Sequence, residues 1–69
     1  MDFKEIIIQI RAILNISQQE LAKILGVSFV TINRWENGKT IPSKKHCKIL
    51  ENMLKECTNR GVYTNGQAD

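Results

Sequence analysis

Apolar side chains recur along this chain at helical rather than alternating spacing. Phe3, Ile6, Ile7, Ile10, Ile13 and Leu14 fall on one arc at 100° per residue, with Ile8 the outlier and Glu5, Gln9 and Ala12 facing away. This predicts a first helix over about Phe3 to Leu14, with Arg11 bordering its apolar arc. Asn15 and Ile16 break it. Ser17-Gln18-Gln19-Glu20 then fits a capping box, and Leu21, Ala22 and Leu25 give the second helix an inward face ending at Gly26. Ser28 is an N-cap for a third helix over about Phe29 to Glu36, in which Ile32 and Trp35 share a face. Asn37-Gly38 reads as a turn. Pro42-Ser43 opens a fourth helix, whose stripe is Cys47, Leu50, Leu54 and Cys57, flanked by Ile49 and Met53. Thr58-Asn59-Arg60-Gly61 reads as the helix exit. The expected organisation is therefore one domain over residues 1–57 and a polar, flexible tail over 58–69.

Composition narrows what such a bundle can be. The 69 residues allow one small domain, and 42% of them are apolar, enough for a core. No apolar run approaches the roughly 20 residues of a membrane span, and no signal peptide is readable at the start. Cys47 and Cys57 would lie about 15 Å apart on one helix, so reduced thiols in a cytoplasmic protein are expected. One histidine and no CxxC pair supply no zinc ligand set, and neither cofactor nor metal is expected. An enzyme lacks parts here: paired carboxylates on a common face and a phosphate-binding glycine loop are both missing. His46 is expected to be an exposed residue of the fourth helix, outside any site.

The net charge of +3 is uninformative until it is located. Residues 23–48 hold Lys23, Arg34, Lys39, Lys44, Lys45 and Lys48 against Glu36 alone, while both flanks carry a net negative charge. A basic interval of this kind suits a phosphate backbone.

The same interval holds the most specific pattern. Two short helices meet at a turn of about three residues, with small Ala22 at their closest approach, Gly26 at the reversal and Val27 plugging the corner. Gln18-Gln19-Glu20-Leu21-Ala22, Leu25-Gly26-Val27-Ser28, Thr31-Ile32-Asn33-Arg34-Trp35-Glu36-Asn37-Gly38-Lys39 and Pro42 resemble the phage repressor and Cro type of helix-turn-helix regulator, also called the XRE type. The resemblance covers about residues 6 to 54. It implies an all-α, compact lambda-repressor-like domain of four helices, or five, that binds double-stranded DNA. It also implies a transcription regulator, most often a repressor, acting as a homodimer on a palindromic operator near the nucleoid in the cytoplasm. The chain departs from the family in its longer fourth helix and in showing no clear fifth one.

With Ile32 and Trp35 inward, Phe29, Val30, Asn33 and Arg34 face outward, with Ser28 and Thr31 at the edge; these six are the expected base-contacting residues. Phe29 has a second reading, folded back onto the core. Phosphate contacts are expected at Gln18 and the second-helix N-terminus. The resemblance adds Asn37, Lys39, Thr40 and Lys44, and it pairs Arg11 with Glu36 in an ion bridge between the first and third helices. A competing reading makes the isoleucine-rich first helix an interface for a protein partner, with Ile8 and one of Ile6 or Ile13 exposed.

Overall fold

The computed structural model describes residues 2–64. Among these, α1 spans Phe3–Leu14, α2 Gln18–Leu25, α3 Phe29–Glu36 and α4 Lys44–Thr64. The architecture is all-α, as the apolar spacing predicts.

Each boundary has a local cause. Asp2 caps α1 by accepting from the Glu5 N–H at 3.2 Å. Asn15 ends that helix in the left-handed region (φ 57°), which asparagine tolerates better than most residues. The capping box of α2 is complete: the Glu20 N–H donates to Ser17 Oγ at 3.0 Å, and the Ser17 N–H donates to Glu20 Oε1 at 2.8 Å. Gly26 closes α2 at φ 70°, where a Cβ would bring strain, and its N–H returns to the Ala22 and Lys23 carbonyls. Ser28 caps α3 through the Thr31 N–H at 3.1 Å.

Among the described residues, the helices close on one another through ten buried apolar side chains. Ile6, Ile7 and Ile10 come from α1, Leu21, Ala22 and Leu25 from α2, Ile32 and Trp35 from α3, and Leu50 and Cys57 from α4. Ile7, Ile10, Leu21, Ile32 and Leu50 are fully buried, and each contributes about 1.5–3 kcal/mol of transfer free energy. α1 packs on both α3 and α4, while α2 packs on α3. This holds α2 and α3 as a helix-turn-helix on a scaffold of α1 and α4.

Two expectations about where helices are covered and where they end differ from the structure, and one alternative is resolved. Ile13 and Leu14 belong to the expected inward arc of α1 but are 40% and 42% exposed. The left-handed Asn15 redirects the chain, so that Ile16 packs on the core in place of the last turn of α1. Ile6 is buried, so of the two residues offered as exposed beside Ile8 the exposed one is Ile13. The fourth helix does not exit at Thr58. It continues through Gly61 to Thr64, and Thr58 Oγ1 donates back to the Leu54 and Lys55 carbonyls at 2.9 and 3.0 Å, staying within the helix. A single glycine costs a helix only about 1 kcal/mol, so Gly61 need not stop it. The last five positions of the expected tail, 65–69, lie outside the described residues. No helix of the described residues is long and apolar enough to cross a membrane.

Candidate nucleic-acid interface

α3 is amphipathic in a way that leaves one face unused by the core. Ile32 and Trp35 are buried, while Phe29 (45% exposed), Val30 (54%) and Arg34 stand on the solvent side. Phe29 is therefore not folded into the core. It borders an open groove with Ser17, Gln19, Lys23 and Val27, beside the start of α2. The Arg34 side chain has no hydrogen-bond or ion-pair partner among the described residues, so its donors face solvent. At the start of the helix, Ser28 Oγ accepts from the Thr31 N–H and also lies 3.0 Å from Thr31 Oγ1. Both hydroxyls are thus occupied in the cap and sit at the edge of the exposed face.

Asn33 is placed differently from its outward-facing neighbours. It is half-buried, its Nδ2 donates to Gln18 Oε1 at 3.4 Å, and its Oδ1 accepts from Asn37 Nδ2 at 3.1 Å. Asn37 Nδ2 also donates to the Asn33 carbonyl at 2.9 Å. An amide has two donor hydrogens and an oxygen with two lone pairs. Asn33 therefore keeps one N–H and one acceptor lone pair for any further contact. Gln18, at the first turn of α2, is committed as well: its Nε2 donates to Glu36 Oε1 at 3.0 Å. What the α2 N-terminus still offers an anion is backbone, since the Gln18 and Gln19 N–H groups have no intrahelical acceptor. Asn37, Lys39, Thr40 and Lys44 are all exposed, lying from the end of α3 to the first residue of α4.

Arg11 and Glu36 anchor this network from below. Arg11 Nε donates to Glu36 Oε2 at 2.7 Å and Nη2 to Oε1 at 3.0 Å, a two-pronged contact. Arg11 Nη1 also reaches the Ile16 carbonyl at 3.2 Å. The chain of bonds thus runs from α1 through Glu36 and Gln18 to Asn33 and Asn37. It fixes the end of α3 against the start of α2.

Burial pushes the Glu36 carboxyl up. Hydrogen bonds from Arg11 and Gln18, together with the Arg11 charge, outweigh that effect and hold it below the ordinary carboxylate range. The hydrogen bond to Glu36 in turn raises Arg11, against the opposing effect of burial. For an acid lowered on folding, the stabilising contribution is complete above the unfolded value, about pH 4.3 for glutamate, and is lost as pH falls through the lower folded value. Acid melts of wild type and Glu36→Gln should therefore converge below that window and separate above it. Parallel curves across the whole acid range would remove Glu36 as the titrating group.

One residue outside the expected set enters the same region. His46 is half-buried rather than exposed. Its ring lies 5.6 Å from that of Trp35 at 51°, and Nε2 stands 3.3 Å from the Leu25 carbonyl oxygen. The available signal was Ser43-x-x-His46 at a helix start, the spacing of a cap and the residue it caps.

The comparisons agree with this geometry. A model of the helix-turn-helix family matches residues 7–58. The HTH-type transcriptional activator BcrR of Enterococcus faecalis is 38% identical over 54 residues, covering 78% of this chain and 26% of that protein. The chain thus spans only 26% of the length of this curated relative. No solved structure matches. A capped α2, a left-handed glycine turn and a capped α3 with one exposed face lie inside the matched residues, and the chain belongs to the helix-turn-helix family of the phage repressor and Cro type, a family of DNA-binding transcription regulators.

Proposed function

We propose that this chain binds double-stranded DNA sequence-specifically and regulates transcription, with α3 as the helix that reads the major groove. The observation that carries this reading is the face formed by Phe29, Val30 and Arg34, which the core does not use. Arg34 offers a guanidinium that matches guanine O6 and N7, and Phe29 and Val30 offer apolar contacts to thymine methyls. Asn33 keeps the one donor and one acceptor that an adenine edge needs, while Ser28 and Thr31 border the groove from the cap. Phosphates would be met by the backbone N–H groups at Gln18 and Gln19 on one side and by Lys39, Thr40 and Lys44 on the other, with Asn37 joining them only by giving up one of its bonds to Asn33.

The acting species is a homodimer on a palindromic operator, its half-site centres about 34 Å apart along the duplex. The proposed sign of regulation is repression, because occupying a promoter excludes polymerase without any further contact. A second reading, activation, is favoured by the name of the Enterococcus faecalis relative. An activator needs a surface for a protein partner, and Ile8, Ile13 and Leu14 on α1 are exposed apolar candidates.

Selection from random duplexes tests the proposal. Enrichment of a two-fold-symmetric site with half-sites one helical turn apart supports it, and failure to enrich any sequence would overturn it. A reporter driven from the selected site then gives the sign.

A further inference from the structure

His46 stands where three elements meet. Its Nε2 faces the carbonyl of Leu25, the last residue of α2, at 3.3 Å. A carbonyl oxygen only accepts, so Nε2 carries the proton. In the neutral ring Nδ1 is then an acceptor, and Ser43 Oγ–H donates to it at 3.1 Å. Ser43 Oγ in turn accepts from the His46 N–H at 3.4 Å, which places Ser43 as the cap of α4. The ring also packs at a tilt against Trp35 of α3, itself buried.

This arrangement has a mechanical consequence. α4 packs chiefly on α1, not on the helix-turn-helix. Between α3 and α4 runs an irregular segment, residues 37–43, that holds Lys39, Thr40 and the exposed Ile41. Its far end is where exposed Lys44 and Lys45 begin α4. The end of α2 leaves carbonyls without helical partners, and His46 satisfies one of them across the gap. A single side chain thereby joins the end of α2, the core face of α3 and the cap of α4.

We propose that His46 is a positioning residue for DNA binding: through Leu25, Trp35 and Ser43 it fixes the start of α4, with Lys44, at the height of the phosphate backbone while α3 lies in the groove. The proposal rests on the DNA reading above. It assigns His46 no contact with bases, so the site's sequence preference should not depend on it.

The test is equilibrium binding of the full chain to the selected operator and to a scrambled duplex over a range of salt. Wild type, His46→Ala, His46→Gln and His46→Phe are compared below the melting midpoint of each. Glutamine can place an N–H near the Nε2 position, whereas phenylalanine keeps the ring on Trp35 and loses both nitrogens. The dependence of log affinity on log salt has a slope of about −0.9 per phosphate neutralised. His46→Ala and His46→Phe should each reduce the magnitude of that slope by about 0.9 per half-site. They should lower operator and scrambled affinities by the same factor, and His46→Gln should restore the slope. His46→Phe carries the test if His46→Ala does not fold. An unchanged slope in folded His46→Phe overturns the proposal, as does a loss of affinity that merely follows loss of stability. If the wild type itself binds no duplex in a salt-dependent way, the DNA reading fails and this one with it, an outcome distinct from failure of the variants alone.

Discussion

Arg11→Ala is expected to lower the melting midpoint by about 10–20 °C. Removing one member of a buried ion pair costs about 3–5 kcal/mol, because the remaining charge is left without its partner. Here the Arg11 side chain is 26% exposed and that of Glu36 only 9%, so solvent lowers the figure to about 2–3 kcal/mol. In a domain of this length each kcal/mol corresponds to about 4–8 °C. Three contacts go together: both Glu36 oxygens lose a donor, and the Ile16 carbonyl loses the Arg11 Nη1 donor. Gln18 alone then faces a carboxylate that burial already disfavours. Arg11→Ala combined with Glu36→Leu should recover part of the loss, since no buried charge remains. Thermal melts at neutral pH decide it. A midpoint within two or three degrees of wild type would mean that the bridge holds nothing together.

Arg34→Ala should act on recognition and leave stability alone. Its side chain is exposed and bonds to nothing else in the described chain, so the melting midpoint should stay within a few degrees of wild type. A bidentate arginine–guanine pair is worth about 1–3 kcal/mol of discrimination, roughly a 5- to 150-fold change in the operator-to-random affinity ratio for each half-site. The loss should concentrate at one base pair per half-site, where the variant accepts all four bases nearly equally. Non-specific affinity should fall much less. If Arg34→Ala weakened operator and random duplex equally, Arg34 would be a phosphate contact and the reading face of α3 would be misassigned.

The legible parts of this fold are those set by local chemistry. Ser17 with Glu20, Gly26 and Ser28 specify caps and a left-handed turn within four residues of themselves, and the structure has each of them. The burial of Ile32 and Trp35 follows from helical spacing, and that in turn determines which residues of α3 remain outside. Periodicity failed where a helix ran past its partners. Ile13 and Leu14 share the arc of Ile6 and Ile10, but an arc does not say how far along α1 the covering elements extend. Thr58 was unreadable for a different reason. A threonine can end a helix or bond back to the carbonyl one turn earlier, and the composition is the same in both cases. The polar network was hidden because it joins residues far apart in sequence. Gln18 and Asn33 each look like surface amides until α2 and α3 are packed, and His46 looks solitary until Leu25 and Trp35 are brought beside it.

In the proposed complex α3 reads base edges while the basic residues around it hold the phosphates. The decisive measurement titrates the wild-type chain against the selected operator and a scrambled duplex of equal length, side by side at near-physiological salt. The operator affinity should exceed the scrambled one by at least about a thousandfold, with both falling steeply as salt rises. Equal affinity for the two duplexes, or binding indifferent to salt, would contradict it.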